Sequence, residues 1–532
     1  MKFWIFGRKA EAAPQQKRHP NTRTPPAFGG GKRKRMFAAA EQDRLAMEWG
    51  TTPIGADDVI MRNWQAITAR AQEQVANNDY GRQYLRMCVN NIVGEKGIQM
   101  QARSKGQDGT LDSQANAAIE ACWKEWSKGK NCDVAGKKSL REFQKLAIKS
   151  AATTGEFFIR LATGAEAGPM GFAIQLIPSW RVPVEMVVNR MPNSTNFIRF
   201  GIEYTQYGRP VAYYFTTTMA DEDRFMYSGK PFVRIPAEEI AHGYIEDIAN
   251  QKRGLSWLAT SLVRMRQLNG MEEAALVNAR VGASKMAFMT FKEGENGPEY
   301  DEDDPPVVNV EPGELDILPQ GASIEKWDPQ YPAGEYAQFT KDQKRGAAAG
   351  MGVSYNNLAQ DLEGVNFSSI RQGTLDERET WKDLQEWLTE EMMQKIFDSW
   401  LINMLLGGKI LLDNGKPLSP LKLVKYQAVL WQGRRWAWID PVSDVDASIK
   451  AKNAMLKSPS ELIRDGGKDP DEVWTQTAGD IANQLEKLIA GGMSKKNAEI
   501  IVMKGYGVDY QLLQEKTDEK APNGDNRQPA GK

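Results

Sequence analysis

Residue types that could perform catalysis are sparse in this sequence. Histidine occurs only at His19 and His242, so a Ser-His-Asp or Cys-His arrangement would depend on His242, because His19 lies in a basic N-terminal stretch. No GxSxG elbow accompanies it, and we expect His242, directly before Gly243 where a strand ends, to be structural. The three cysteines form no CxxC pair that would suggest a zinc or redox site. We therefore expect no catalytic residue, no metal and no cofactor.

Two further stretches look like motifs for phosphate or metal chemistry. Residues 136–139 read Gly-Lys-Lys-Ser, which lacks the leading glycine and the GK[ST] order of a phosphate-binding loop, so we expect no ATPase activity. An acidic run at 301–304 could suggest a two-metal nuclease, in which spaced carboxylates hold ions about 4 Å apart. Consecutive acids followed by two prolines favour an exposed loop instead. The run consists of Asp301, Glu302, Asp303 and Asp304.

Length and composition limit the class of protein. A chain of 532 residues allows roughly three or four domains. With 41% apolar and 26% charged residues, the chain can bury a large core. Lys plus Arg total 68 against 69 Asp plus Glu, so capture of nucleic acid by overall charge is not indicated. No apolar run approaches the roughly 18 residues of a membrane span, and we expect no membrane association.

The two ends of the chain differ in composition from the rest. Residues 1–35 carry ten Lys or Arg and one acid, together with several prolines and a glycine triplet. Such a segment buries too little surface to offset its ordering entropy, so residues 1–45 are predicted to be a mobile basic arm. The arm either binds DNA or an acidic partner, or is a solvated tail. Residues 517–532 are polar and predicted to be disordered.

The first half of the chain is predicted to be a mixed helix-and-strand domain. Apolar spacing indicates helices over 57–94, 113–127 and 139–154, with a turn and an N-cap supplied by Asn77, Asn78 and Asp79 and a capping box of Ser139 and Glu142. Strands are predicted from their alternating or continuous apolar runs. They cover 98–102, 155–161, 172–177, 197–204 and 210–217. The fold class is therefore α+β.

The second half is predicted to contain long helices around an insert. One helical pattern covers 254–281, and a second over 333–349 has a weak apolar stripe, which suggests packing in an assembly. Between them, residues 286–327 form a strand-and-loop insert. After a polar loop, Asn366 is predicted to cap a helix of about 40 residues, roughly 60 Å long. A β-like aromatic stretch (426–440) and shorter helices (445–502) follow.

Several junctions resemble the lambda-type family of tailed-bacteriophage portal proteins. The most specific stretch is residues 352–361, Gly-Val-Ser-Tyr-Asn-Asn-Leu-Ala-Gln-Asp, continued by Asn-Phe-Ser-Ser-Ile-Arg at 366–371. It is similar to the family's "GVSYE.L..D…NYSS.R" signature, with Asn356 in place of the usual acid and Phe367 in place of the tyrosine. Weaker matches in the family's order lie at 90–98, 155–158, 234–237, 253–258 and 436–441.

This resemblance implies a ring of about twelve copies at one capsid vertex, through which terminase drives double-stranded DNA. It implies contacts with the large terminase subunit, the major capsid protein, the scaffold and head-completion or neck proteins. It also implies that the ring assembles in the host cytoplasm and becomes part of the virion. A different head-tail connector ring and the nuclease remain alternatives. The implied divisions are the basic arm (1–45), wing (46–250), first stem helix (254–282), clip (283–332), second stem helix (333–349), tunnel loop (350–365), long wing helix (366–406), wing and crown (407–516) and tail (517–532).

Candidate channel residues follow from the second stem helix and the tunnel loop. Lys341, Lys344 and Arg345 share one helical face and are candidates to line the channel, the alternatives being pairing with a neighbouring subunit or solvation. In the loop, we expect Asn356, Asn357 and Gln360 to lie nearest DNA, unless the loop packs between subunits. The acidic run 301–304 is a candidate contact for terminase or a connector protein through complementary charge, or serves solubility. Trp431 and Trp438 could stack bases, but a core or interface role fits them better.

Overall fold

The computed structural model describes residues 50–192, 194–217, 231–283, 287–291, 322–326, 335–363, 366–436 and 441–506. The residues from Ala56 onward belong to one structural unit. Within these ranges the helices are α1 (Ala56–Asn77), α2 (Asp79–Cys88), α3 (Ser113–Trp126), α4 (Gly129–Cys132), α5 (Leu140–Thr154), α6 (Leu262–Ala283), α7 (Glu335–Gly350), α8 (Tyr355–Ala359), α9 (Phe367–Leu388), α10 (Lys395–Leu406), α11 (Leu423–Tyr426), α12 (Pro441–Asn453), α13 (Pro459–Asp465), α14 (Pro470–Ala490) and α15 (Lys495–Gly505).

The described strands pair antiparallel in four small sheets. They are β1 (Gln99–Ala102), β2 (Glu156–Thr163), β3 (Phe172–Ile177), β4 (Phe197–Arg199), β5 (Ile202–Tyr204), β6 (Pro210–Thr216), β7 (Phe232–Pro236), β8 (Ile240–Tyr244), β9 (Ala287–Phe291), β10 (Ala322–Lys326) and β11 (Val429–Gln432). The orders are β3-β2-β8, β4-β5-β6-β7, β1-β11 and β9-β10. Helices and sheets are mixed along the chain, which confirms the predicted α+β class.

The predicted helix starts in the first half are confirmed by their caps. The Asn78 side chain accepts hydrogen bonds from the backbone N–H groups of Tyr80 and Gly81, which separates α1 from α2. At α5, Ser139 and Glu142 form the predicted capping box. Each cap satisfies N–H groups that the first helical turn leaves without an internal partner. Local sequence therefore determines where these helices begin.

Two differences from the sequence prediction concern the extent of predicted elements. The strand predicted over 197–204 is two strands, β4 and β5, because Phe200 (φ 53°) and Gly201 (φ 78°) turn the chain back on itself. The helix predicted from Gly254 begins at Leu262. Residues 254–256 are irregular and 257–261 form turns, and the Ser256 hydroxyl donates to the carbonyl of Ala152 near the end of α5. A local backbone turn therefore divides the predicted strand, and a tertiary contact overrides the helical periodicity before α6.

The long helix predicted after Asn366 is present, with one change of hydrogen-bond register. Between α9 and α10, residues Thr389–Gln394 are π-helical, and the chain continues helical to Leu406. The buried side of α10 packs into an aromatic cluster in which the rings of Trp123 and Trp400 have centroids 4.9 Å apart. Phe397 and Trp431 join this cluster. The long helix is therefore anchored in the main core.

None of the helices in the described part of the chain is both long and apolar enough to cross a lipid bilayer.

Candidate functional site

Helices α6 and α7 lie side by side and run antiparallel. The Thr260 hydroxyl donates to the carbonyl of Gly350 (2.7 Å), and the Ser261 hydroxyl donates to the carbonyl of Ala347 (2.9 Å). These bonds satisfy carbonyls in the last turn of α7, which have no partner within their own helix. Further along the pair, Glu272 of α6 forms an ion pair with Lys344 of α7. The residues between the two helices include the antiparallel ribbon of β9 and β10.

The three predicted channel cations of α7 are all paired within their own chain. Lys341 lies 3.1 Å from the Asp361 carboxylate, and Lys344 lies 3.0 Å from Glu272 of α6. Arg345 lies 3.2 Å from Asp342, one turn earlier in α7. The sequence left open whether these cations pair with a neighbouring subunit or are solvated. In the structure, each cation has an acidic partner in its own chain. Each charge on this face of α7 is thus balanced locally.

Lys344 is the most enclosed of the three. Its ammonium group lies over the Tyr80 ring, 5.1 Å from the centroid, and the Tyr80 hydroxyl donates to the same Glu272 carboxylate at 3.3 Å. Partial burial by itself lowers the pKa of Lys344, but its bonds to Tyr80 and Glu272 outweigh burial and raise that pKa to about 12. Lys344 therefore stays charged, and it connects α7 to α6 and α2.

The loop from 351 to 366 contains the short helix α8 and folds back on α7. Ser354 caps α8 through a bond from the Asn357 N–H, and Gln360 ends it in the left-handed conformation (φ 53°). Beyond that turn, Asp361 accepts a hydrogen bond from the Tyr355 hydroxyl at 2.7 Å. This bond, a backbone N–H and Lys341 lower the pKa of Asp361 to about 2. The ionised Asp361 ties the loop to α7.

The three predicted loop residues differ in their surroundings. Asn357 is exposed, yet its side-chain amide donates to Glu377 of α9 at 2.6 Å, and its carbonyl accepts from Gln83 of α2 at 3.3 Å. Asn356 is half-buried, and Gln360 is exposed. Asn357 therefore positions the loop between α2 and α9. Gln360 lies on the accessible side of the turn.

Sequence reasoning missed the partners that hold this site together. Glu272 and Tyr80 come from distant parts of the chain, and no spacing rule relates them to Lys344. A signal for the other contact was present, because Tyr355 and Asp361 both lie in the signature stretch 352–361. The structure brings them together. The acidic residues Asp301, Glu302, Asp303 and Asp304 lie outside the described residues.

A buried charge network surrounds His242, the residue predicted to be structural. The Arg253 guanidinium donates to Glu156 through Nε (2.8 Å) and Nη2 (2.5 Å), and it also donates to the carbonyls of Val182 and Phe200. His242 Nε2 lies 3.1 Å from the Glu156 carboxylate. The side chains of Glu156 and Arg253 are both fully buried. Burial lowers the pKa of His242, so it is neutral near pH 7.

The network has the geometry of a structural cross-link. It joins β2, β8, the segment before α6 and two loops of the β-rich region. Among the residues with described positions, no group of three His, Cys, Asp or Glu could hold a metal ion.

The tryptophans near β11 contact the protein core. The indole N–H of Trp431 donates to Gln394 (2.8 Å), and that of Trp436 donates to Asn91 (3.0 Å). Trp431 also packs edge-on against Trp123. These contacts agree with the predicted core role of Trp431, because its ring packs edge-on against other aromatic rings of the core. Trp438 lies outside the described residues.

Comparison with known proteins gives consistent results. A family model described as "Phage portal protein, lambda family" matches residues 42–385. The probable portal protein of Halomonas phage phiHAP-1 is 31% identical over 486 residues, covering 90% of each chain. Portal protein B of Escherichia phage lambda is 22% identical, covering 89% of this chain and 93% of its own. Among solved structures, the neck of a native GTA particle computed with C12 symmetry contains a chain that is 11% identical, with a TM-score of 0.41, covering 76% of this chain and 92% of its own.

Proposed function

The chain belongs to the lambda family of phage portal proteins, and from this premise we propose that its copies form a ring at one capsid vertex through which double-stranded DNA enters and leaves. It is a structural component of a tailed-phage virion and not an enzyme. The ring has about twelve copies and is assembled in the host cytoplasm. DNA is driven inward by the large terminase subunit and later ejected through the same opening.

The observation that best supports a DNA channel is the balanced charge of α7 and its loop. A protein that neutralises many phosphates holds DNA strongly, because each contact releases condensed counterions. A surface of uniform negative charge would instead exclude the duplex. Here Lys341, Lys344 and Arg345 are each paired with an acid of the same chain. Such a surface contacts DNA weakly, as sliding requires.

We assign the described elements to the family's divisions as follows. Helices α6 and α7 form the stem, and the ribbon of β9 and β10 belongs to the clip. Loop 350–365 is the tunnel loop, and α9 with α10 forms the long wing helix. The sheets around β2 and β6 belong to the wing, and α12 to α15 belong to the wing and crown.

Partner contacts follow from the same divisions. The clip, with the acidic run 301–304, meets terminase during packaging and a head-completion or neck protein afterwards, through complementary charge. The wing meets the major capsid protein and the scaffold. Changing the four acids of the run to lysine should weaken terminase binding at low salt, whereas unaltered affinity would remove this contact from the proposal.

Substitution of the α7 cations tests the channel assignment. We expect Lys341→Ala, Lys344→Ala and Arg345→Ala together to change packaging rate or packaged DNA length, because Asp361 and Glu272 would then present unbalanced negative charge to DNA. Rings should still form. The matched control replaces Lys128, Lys130 and Lys149, three exposed lysines away from α7, and should package normally. Unchanged packaging in the α7 variant would reject the assignment.

Crosslinking tests the tunnel loop separately. A photoreactive residue placed at Asn356, Asn357 or Gln360 in packaged particles should crosslink to DNA, most strongly at exposed Gln360. The same residue placed at exposed Lys149 of α5 serves as a control and should give no crosslink. Crosslinks from the control alone would contradict the assignment.

A further inference from the structure

A large polar groove lies beside the core. Its volume is about 1390 Å³, and its walls come from α2, β1, α3, α5, the residues after β11 and the turn between α13 and α14. Three turns of α-helix, taken as a cylinder roughly 10 Å wide and roughly 16 Å long, occupy about the same volume. The groove therefore has room for the side chains along one face of a helix. Of the groove-lining residues, Gln83 also takes part in the channel site, through its bond to the Asn357 carbonyl.

The groove carries an excess of positive charge without acidic partners. Eight Lys or Arg and four Asp or Glu line it. None of the eight cations forms an ion pair with an acid in the part of the chain described here. Exposed examples on different walls are Lys96, Arg435 and Lys468. A concave surface with unpaired cations attracts an anionic partner, because low-dielectric walls concentrate the field.

The same chain carries an unpartnered acidic helix face. Five acids, four in α9 and one in the π-helical turn that follows it, lie at spacings of three and four residues, and all are exposed: Asp376, Glu379, Asp383, Glu386 and Glu390. At about 100° per residue they lie opposite the buried side formed by Trp381, Gln385 and Leu388. Only Glu379 has a lysine partner, Lys382, among the described residues. Like charges at this spacing destabilise a helix unless cations cover them.

We propose that in the assembled ring the groove of each subunit receives the acidic face of α9 from its neighbour. The proposal rests on the ring of the proposed function. A ring built by rotation joins two different surfaces of the same chain, so one chain must carry both complementary patches. The groove and the acidic face meet that requirement in charge and in size.

A neighbouring helix fits the groove better than duplex DNA does. The backbone of DNA is uniformly negative, and the four acids of the groove, among them Glu120 and Asp469, would repel it. Alongside its acids, the exposed side of α9 presents Lys382, so it offers charges of both signs. Mixed charge on both surfaces also fixes the register of the contact.

Charge reversal tests the contact with the full chain. One variant carries Glu379→Lys, Asp383→Lys and Glu386→Lys, and the other carries Lys145→Glu, Arg435→Glu and Lys468→Glu. For each alone, the concentration at which half the chains are in rings should rise about a hundredfold or more, because like charges then meet. Mass photometry measures that fraction, and circular dichroism checks that each variant is folded. A control with Glu185→Lys, Glu238→Lys and Glu239→Lys, three exposed acids elsewhere, should assemble as the wild type does.

Mixing the two variants gives the decisive result. In an equimolar mixture, each reversed α9 face meets a reversed groove and each native face meets a native groove, so rings of alternating subunits should reappear. Rings formed normally by each variant alone would overturn the proposal, as would a mixture that stays unassembled. A groove variant that assembles normally but loses DNA binding would assign the groove to DNA instead. Absence of rings from the wild type would overturn the proposed function itself.

Discussion

Replacement of Glu156 by glutamine tests the buried charge network most severely. Its carboxylate accepts hydrogen bonds from two nitrogens of Arg253, Nε and Nη2, contacts His242 and accepts from the N–H of Gly254 at 3.2 Å. The variant Glu156→Gln keeps the shape but leaves the Arg253 charge uncompensated in a fully buried position. Breaking a buried ion pair from one side costs about 3–5 kcal/mol. We expect a loss of that size in the free energy of unfolding.

The expected change in melting temperature follows from the size of the unit. The unit from Ala56 to Lys532 has roughly 480 residues, and at about 2.1 cal/mol/K per residue its unfolding entropy is about 1 kcal/mol/K. The melting temperature of Glu156→Gln should therefore fall by about 3–5 °C. Scanning calorimetry at equal concentration and scan rate measures the change. Glu125→Ala, which removes an exposed pair with Lys128, should shift it by less than about 1 °C.

A second substitution separates the ion pair from general packing. Arg253→Met alone leaves Glu156 buried without its cation, so it should also be destabilising. The double variant should lose less than the two single losses added together, because neither charge is then left alone. A fall of less than about 1 °C for Glu156→Gln, or additive losses in the double variant, would refute the reasoning.

Three further predictions follow from other contacts. Burial lowers the pKa of His242, so below about pH 6.5 the unfolded chain binds a proton that the folded chain does not, and the free energy of unfolding should fall from pH 7.5 to 5.5. Melting scans of His242→Gln should show a flatter pH dependence, and an unchanged slope would contradict this. Gly155 has φ 93°, and a Cβ there would lie 2.4 Å from the Gly254 backbone, so Gly155→Ala should sharply reduce the yield of soluble folded protein; a normal yield and melting temperature would contradict the contact. Removing the Tyr355 hydroxyl by Tyr355→Phe should raise the pKa of Asp361 from about 2 toward its usual value and speed amide exchange across 351–363, measured by mass spectrometry; unchanged exchange would show that the bond does not hold the loop.

The sequence predicted where helices begin when the start depends on capping residues next to it in the chain. The Asn78 cap and the capping box at Ser139 and Glu142 appear as expected, since both depend only on residues within one helical turn. The start of α6 was wrong by eight residues. There, Arg253 belongs to the buried network and Ser256 bonds to α5, so tertiary contacts keep 254–261 out of the helix.

The candidate site was predicted in composition but not in pairing. Helical spacing placed Lys341, Lys344 and Arg345 on one face, yet the acid that neutralises Lys344 lies 72 residues earlier in the chain, at Glu272. Ion pairs between distant segments depend on how helices pack, and no local rule gives that packing. The family signature, in contrast, marks the stretch 352–361 from residue identity alone, and within it the structure places α8 and the Tyr355–Asp361 bond.

Electron microscopy of the purified full chain tests the central claim most directly. End-on class averages should show closed rings of about twelve subunits around a central opening wide enough for a DNA duplex. Single particles of one subunit, or closed assemblies without an opening, at concentrations where the chain is folded would contradict the account.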